Sequence, residues 1–356
     1  MNVKRLTTRA LILLALLVAI LPSATFVRAQ SRQLKQIGNG TAFAAAWSPD
    51  GSKLAIGGSL GVWLYTPDLK PIAHFDGNDL EITALAWNPN GKQIASASHA
   101  GEVQLWDAAS GKVQTLETTT PDSNEPGSLS YSPDGSRLAS ANAKNDVHIW
   151  DTATGKLAQI LKTDGPVYTV AWEPKGPRLA VGGVHVVEGG NAGFLQIWDT
   201  KTSEVVQTFS NAKVAELYSL NSLVPPAQSA QWVADQIEII FSSDPKMAEL
   251  IVAWNLQADP LVGQAPSLLP GCSHATGVSY SPDGTANAGA IVDCGVGFGS
   301  ISIATVEIMA PNELFAGYSF VGRYQIRTLA WRSDNRTLAV INGNGAISIF
   351  DALSVN

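Results

Sequence analysis

The chain has 356 residues, of which 45% are hydrophobic and 15% are charged, whereas an average globular chain has roughly 25% charged residues. So few charges exclude a disordered protein and a coiled coil, both of which need many more. The formal net charge of -7 also argues against a partner held through phosphate contacts, so we predict no nucleic-acid binding. The 32 glycines, 19 prolines and 10 tryptophans favour many short strands joined by tight turns.

The first 29 residues have the pattern of a cleaved export signal. A basic start at Lys4, Arg5 and Arg9 precedes an apolar stretch over 10–21, and small residues lead to Ala29. About a dozen apolar residues fall short of the roughly 20 that span a bilayer. We therefore predict cleavage after residue 29 and an extracytoplasmic location, secreted or periplasmic, with no stable membrane insertion afterwards. The alternative is that the segment is retained as an anchor.

A repeat recurs seven times along residues 30–356. Each copy opens with an aromatic residue, continues through a turn of Pro-Asp-Gly type and reaches a short apolar strand. The first three intervals between these aromatic residues are 40, 44 and 41 residues, which matches the 40–45-residue period of propeller blades. A third strand ending in an aromatic residue and then a fourth strand follow, so each copy predicts one four-stranded antiparallel blade. The opening aromatic residues are Trp47, Trp87, Tyr131, Trp172, Trp232, Tyr280 and Trp331.

The two ends of this repeat array complement each other. The last copy stops at Phe350-Asp351 without a fourth strand, whereas residues 32–37 precede the first blade and have no sheet of their own. We predict that this N-terminal segment pairs with strand 346–351 and closes the ring, because closure buries two edges that would otherwise invite aggregation. The predicted fold is therefore all-β, a single seven-bladed β-propeller over residues 30–356.

With its Trp-Asp pairs, such as Trp106-Asp107 and Trp150-Asp151, its small second strands of the LASAS type and its Gly-Lys turns, the chain resembles the WD-repeat β-propeller family. The SPDG turns are also similar to those of propellers in the bacterial Tol translocation system. The family has a buried hydrogen-bond tetrad, which we do not expect here, because Ala100 and Lys144 stand six residues before the two tryptophans, where the family has aspartate. The resemblance implies a protein–protein interaction scaffold without enzymatic activity.

The two cysteines, Cys272 and Cys294, stand almost symmetrically about the turn at 281–284. Residues at equal offsets from the turn of an antiparallel hairpin face each other, so the thiols are expected opposite each other or one position apart. Because disulfides persist in an exported protein, we predict a structural Cys272–Cys294 bond. Two buried free thiols are the alternative.

Every large insertion falls on one predicted face, in blades four to six. The inserted loops cover 183–193, 210–229, 242–249, 265–276 and 295–299. Because loops carry function on rigid scaffolds, we predict that this face binds a protein or peptide, with neutral loop growth as the alternative. The apolar segment 220–226 either joins that interface or packs against the rim. The candidate contact residues are His185, Glu188, Asn191, Lys213, Glu216, Tyr218, Lys246, His274 and Phe298.

No catalytic or metal-binding pattern is found in the sequence. The five histidines are scattered over different blades without ligand spacing, and GxSxG and HExxH motifs do not occur. His148 alternates with apolar residues on a strand and is interpreted as structural. We therefore predict a monomer with no enzymatic activity, no metal and no cofactor. The rival hypothesis is an exported propeller hydrolase or lactonase with its site at the central channel, and a third is a domain of a larger envelope assembly.

Overall fold

The computed structural model describes residues 33–38, 40–76, 81–116, 127–142, 145–187, 190–209, 227–233, 236–241, 250–255, 273–283, 287–293, 303–310, 313–321, 326–342 and 344–352. All regular elements in these ranges are β-strands. None of the described segments is an apolar helix of membrane-spanning length.

The strands form seven antiparallel sheets, which we number as blades one to seven in chain order. The first strand of the chain, β1 (Gln33–Gly38), belongs to blade seven. Blade one has β2 (Ala42–Trp47), β3 (Leu54–Gly58), β4 (Gly61–Tyr65) and β5 (Pro71–Phe75); blade two has β6 (Ile82–Trp87), β7 (Gln93–Ser98), β8 (Val103–Asp107) and β9 (Val113–Thr115); blade three has β10 (Leu129–Tyr131), β11 (Arg137–Asn142), β12 (Asp146–Asp151) and β13 (Leu157–Lys162).

Blade four has β14 (Val167–Trp172), β15 (Arg178–Val187), β16 (Gly190–Asp199) and β17 (Glu204–Phe209); blade five has β18 (Ala227–Val233), β19 (Gln236–Phe241) and β20 (Leu250–Asn255); blade six has β21 (Ser273–Tyr280), β22 (Asn287–Asp293), β23 (Ile303–Ala310) and β24 (Glu313–Val321); blade seven has β25 (Ile326–Trp331), β26 (Thr337–Asn342) and β27 (Ala346–Asp351), followed by β1. The predicted all-β class with four-stranded antiparallel sheets is confirmed. Blade five contributes three described strands.

Strand β1 lies antiparallel beside β27, with Ile37 opposite Ile347 and Gly38 opposite Ala346. The order of strands in this sheet is β1, β27, β26, β25, so the N-terminal segment supplies the outermost strand of the last blade. A strand from the start of the chain therefore completes the sheet formed by its end.

The hydrophobic core is divided into clusters that lie between neighbouring sheets. Leu64 of blade one packs with Trp106 of blade two, and Leu105 of blade two packs with Trp150 of blade three. Further clusters join blades three and four, blades six and seven, and blades seven and one. Because each sheet alone could bury only one face, this stacking gives both faces of a blade an apolar partner.

The aromatic residues that open the repeats also connect neighbouring blades by hydrogen bonds. The Trp87 indole N–H donates to the Ala46 carbonyl at 2.9 Å, which links blades two and one. Trp47 donates to the Ala330 carbonyl of blade seven at 3.1 Å. Equivalent bonds run from blade five to blade four and from blade seven to blade six. The repeated tryptophan therefore has a structural reason, since its buried N–H needs an acceptor.

Candidate interaction face

The turns that connect first to second strands and third to fourth strands lie at the same end of each sheet, and we call this end the turn face. Polar side chains in these turns accept hydrogen bonds from residues of the same turn. Asp50 accepts hydrogen bonds from the Ser48 hydroxyl at 2.6 Å and from the Ser52 N–H at 3.0 Å. These bonds lower the pKa of Asp50 to about 2. The Asp134 turn of blade three repeats the same pattern, with the pKa of its carboxyl again lowered.

The opposite end of each sheet carries the connections from second to third strands and from one blade to the next, and we call this end the insertion face. There, blade four differs from blades one, two, three and seven. Its strands β15 and β16 have ten residues each, whereas the second strands of the other four have five or six. The inner strand β14 pairs with β15 only as far as Val167 opposite Gly183, and the hairpin then continues for four more residue pairs. We call residues 184–187 and 190–193 the hairpin extension.

The base of the hairpin extension is held by the segment that enters β14. The Val184 N–H donates to the Pro166 carbonyl at 3.0 Å. A Cβ on Gly165 would overlap the Val184 carbonyl oxygen, so only glycine allows the segment to pass this close. The His185 ring lies 5.8 Å from the buried ring of Phe194. The extension therefore begins on a rigid base rather than on a loose loop.

Blades two and three each contain a buried polar pair that sequence reasoning missed. The Trp106 indole N–H donates to Ser96 Oγ at 2.8 Å, and Trp150 donates to Ser140 Oγ at 3.1 Å. The expectation that the family's buried polar pattern is absent is therefore only half right, because the Ser–Trp half is present. The signal was available in the two second strands, where serine stands ten residues before each tryptophan.

His148, interpreted as structural, is 6% exposed and lies inside blade three. Its ring packs edge-on against Trp150, with the ring centres 5.6 Å apart. Its Nε2 lies 3.4 Å from an oxygen of Asp146, whose other oxygen is 2.7 Å from the Lys162 ammonium. Burial lowers the pKa of His148, the Asp146 charge opposes this effect, and the Lys162 charge adds to it. The lowered pKa favours a neutral ring near neutral pH.

The described residues do not form a metal-binding cluster. No group of three or more His, Cys, Asp or Glu side chains that could hold a metal ion occurs in this part of the chain. Of the polar groups found together in blade three, Asp146 and His148 are buried, and the Lys162 ammonium reaches Asp146 from an exposed position.

Comparisons with known proteins identify the repeats. The family model described as WD domain, G-beta repeat matches residues 113–151. The model described as anaphase-promoting complex subunit 4 WD40 domain matches residues 61–124. The target of rapamycin complex subunit wat1 of Schizosaccharomyces pombe is 37% identical over 70 residues, which are 19% of this chain and 22% of the relative.

Residues 61–151 of the chain are similar to WD repeats. The resemblance predicted from the Trp-Asp pairs is thereby confirmed, and the matched residues cover parts of blades one to three.

The extracytoplasmic location predicted from residues 1–29 is wrong by this comparison. The similar protein is named as a subunit of a target of rapamycin complex and not as an exported protein. Residues 1–29 lie outside the described ranges. The export prediction depended on the apolar composition of this segment, and apolar segments with other roles have the same composition.

The structure describes three of the nine candidate contact residues. His185 lies in the hairpin extension opposite Ala192, and Asn191 lies opposite Val186. His274 lies on β21 opposite Val292. The structure therefore brings His185 and Asn191 together on one hairpin. The other candidates lie outside the described residues: Glu188, Lys213, Glu216, Tyr218, Lys246 and Phe298.

One predicted loop needs correction. Residues 183–193 are expected as an inserted loop, whereas the structure has 183–187 and 190–193 as the paired ends of β15 and β16, with 188–189 outside the described residues. The alternation of valines with His185 suits a strand, and the two glycines at 189 and 190 suit a tight turn. The apolar segment 220–226 lies outside the described residues.

The predicted Cys272–Cys294 disulfide is not supported by the structure. Both cysteines lie outside the described residues, and the oxidising compartment on which that argument depended is contradicted. The residues next to the two cysteines, Ser273 and Asp293, are described, and they lie opposite each other in the β21–β22 ladder. The bond itself stays a prediction.

Proposed function

We propose that this WD-repeat chain is a non-enzymatic scaffold that binds a protein or peptide through the insertion face of blades four to six. WD repeats in general indicate a protein-interaction scaffold, and the similar protein from Schizosaccharomyces pombe is named as a subunit of a complex. The turn face and the insertion face differ in structure, and this difference supports the insertion face as the binding site.

The proposed scaffold is a single closed seven-bladed ring over residues 30–356. Three observations support it. The seven sheets follow one another in the chain, hydrogen bonds or apolar clusters join blades one to five in sequence, and blade seven contacts both blade six and blade one. Closure requires one further junction, between blades five and six, which we propose to be of the same kind.

The proposed ring also requires a fourth strand in blade five. In blades two, three and four, the tryptophan of the third strand lies opposite an apolar residue seven positions later, as Trp150 lies opposite Leu157. Trp254 is the second-last residue of the third strand of blade five, and seven positions later stands Leu261. We propose that the fourth strand of blade five begins there.

A single observation carries the binding proposal: blade four lengthens its hairpin on the insertion face while its turn face keeps the same short turns as its neighbours. The hairpin extension is buried at Val184 and Ala192, but β14 does not accompany it beyond Val167 opposite Gly183. Rigid scaffolds place binding residues in such projections.

The proposal is tested by shortening the hairpin extension. Deleting residues 186–187 together with 190–191 removes two pairs, which keeps the alternation of faces and leaves residues 188–189 unchanged. Tagged intact and shortened chains are incubated with an extract of the source cells, crosslinked mildly and compared by mass spectrometry. We expect proteins that are recovered with the intact chain to be absent with the shortened chain.

The matched control is Lys175→Ser, an exposed change on the turn face of the same blade. It should recover the same proteins as the intact chain, and thermal melts should show that both variants are folded. Recovery of the same partners by the shortened chain would contradict a binding role for the hairpin extension.

A further inference from the structure

The hairpin extension offers a strand edge that the described second strands of the other blades do not have. On the side of the central channel, β15 is paired with β14 only up to Gly183, and the described residues 163–166 that precede β14 are not in a strand. Residues 184–187 of β15 therefore continue the ladder with β16 on one side and have no described strand on the other. An edge of this kind can accept a further strand through its main-chain groups.

The direction of the main-chain groups at this edge follows from the ladder. The Val184 N–H points away from β16, because it donates to Pro166 on the other side. Main-chain groups alternate in direction along a strand, and the register between β15 and β16 is regular from residue 178 to residue 187. The N–H of Val186 therefore also points away from β16, toward the open edge.

Edges that are meant to stay open usually carry charge or proline, and this one does not. The outer strands of blades one to three are flanked by lysines, and β5 begins with Pro71. Residues 183–187 read Gly-Val-His-Val-Val, without an acidic side chain, a lysine, an arginine or a proline. This strand therefore lacks the charged residues and prolines that keep natural sheet edges from pairing, and it is suitable for pairing with another strand.

Charge indicates which segment would fit. Asp164 is exposed and adjoins Gly165, whose backbone passes against Val184 and His185 at the base of this edge. Across the described part of the insertion face, Asp76, Glu81 and Glu102 are further accessible acids. Those three acids belong to blades one and two, so Asp164 is the exposed acid beside the edge. The exposed Lys162 nearby pairs with Asp146 at 2.7 Å, and Asp164 can attract a cation within roughly a Debye length of about 10 Å.

We propose that the β15 edge at residues 186–187, beyond the part covered by Gly165 and Pro166, binds an extended, lysine- or arginine-rich segment of a partner protein as an added β-strand. The main-chain groups of Val186 supply the ladder bond, and Asp164 attracts the basic side chains. This inference rests on the proposed function, because it names the chemistry of the partner for the same face.

The test uses three labelled synthetic octapeptides and fluorescence anisotropy with the full chain. The first alternates lysine and threonine, the second alternates glutamate and threonine, and the third is the lysine peptide with N-methyl groups on alternate main-chain nitrogens. The lysine peptide should bind, and its affinity should fall as salt is raised. The glutamate peptide should not bind. The N-methylated peptide should bind about fivefold or more weakly, because it lacks the ladder donors while keeping its charge.

Variants of the chain give the complementary test. V186P removes the edge N–H without removing a bond to β16 and should weaken binding of the lysine peptide about fivefold. V186T keeps the N–H and should bind as the unchanged chain does. D164N should weaken binding by a smaller factor and reduce its salt dependence. If V186P does not fold, the N-methylated peptide still tests the ladder.

Equal binding of the N-methylated and unmodified lysine peptides would overturn strand addition, and so would equal binding of the lysine and glutamate peptides. Absence of binding by the lysine peptide would also overturn it. If the lysine peptide fails to bind while the shortened hairpin still loses its partners, the inference fails and the proposed function stands. If the shortened hairpin keeps its partners, the proposed function is contradicted, and the inference that rests on it is contradicted with it.

Discussion

The turn face and the insertion face use glycine and polar residues in different ways. On the turn face, side chains such as Asp50 bond within their own turn, and glycines of positive φ such as Gly135 meet a side chain of the neighbouring blade, here Asn88, whereas Gly91 has open space around it. On the insertion face, glycines such as Gly345 meet main-chain atoms of another segment. The turn face is therefore joined between blades by side chains, whereas the insertion face is built from close main-chain crossings. Added length above those crossings costs little, because the crossings themselves stay unchanged.

The largest effect is expected from removing the strand that leads into these crossings. Deletion of residues 30–38 removes β1, leaves β27 with an open edge and removes the start of the crossing at Gly40. We expect the melting temperature to fall by ~10 °C or more, since several kcal/mol are lost and each shifts the melt by about 2–4 °C in a domain of this size class. Differential scanning calorimetry measures it.

Deletion of residues 1–29 is the matched control for that experiment and should leave the melt unchanged. An unchanged melt after deletion of 30–38 would contradict a closing role for β1.

A comparison of Gly345→Ala with Gly91→Ala separates the two faces directly. Both glycines have positive φ, at 78° and 69°. A Cβ at Gly345 would overlap the Gly40 carbonyl, whereas a Cβ at Gly91 would meet nothing within 4 Å. We expect a loss in the free energy of unfolding of about 3 kcal/mol or more for Gly345→Ala and about 1 kcal/mol for Gly91→Ala. Urea denaturation measures both, and equal losses would show that the crossing relaxes freely.

Ser140→Ala tests the buried hydrogen bond to Trp150, which is 0% exposed. Loss of the acceptor leaves a buried indole N–H unpaired, so we expect unfolding to become easier by about 1–2 kcal/mol. Ser136→Ala is the control, because it removes an exposed hydroxyl from the turn face and should change the free energy by less than about 0.5 kcal/mol. Urea denaturation of both variants checks the difference. A Ser140→Ala variant as stable as the control would show that the indole finds another acceptor.

The smallest effect is the acid sensitivity of the turn face. The pKa of Asp50 is lowered from 3.8 to about 2 by the Ser48 hydroxyl first and by Ser52 next. A carboxyl whose folded pKa is lowered stabilises the fold above its unfolded pKa, and this stabilisation is lost as the pH falls through the folded pKa. The stability contributed by Asp50 should therefore disappear between about pH 4 and pH 2. Acid titration of Asp50→Asn beside the unchanged chain should show a smaller loss in that range, and parallel curves would contradict the assignment.

Part of the candidate face could be predicted from the sequence. The sequence indicated extra residues between the second and third strands of blade four, and His185 and Asn191 were named from polar character and position alone. The sequence did not distinguish an inserted loop from an extended hairpin, because a short alternating run such as residues 183–187 has no periodicity beyond a few residues. The pairing with residues 190–193 decides it, and pairing is a property of two segments.

The sequence by itself determined the repeat, the short strands and the turns of this protein, because each depends on residues within about a dozen positions of one another. The tertiary structure alone decided how the repeats contact each other. Ser140 and Trp150 meet through strand register, Trp47 donates to Ala330 across 283 positions, and Gly345 fits only because Gly40 lies against it. Such contacts depend on where the sheets stack, and apolar packing between sheets sets that placement without leaving a local pattern in the chain.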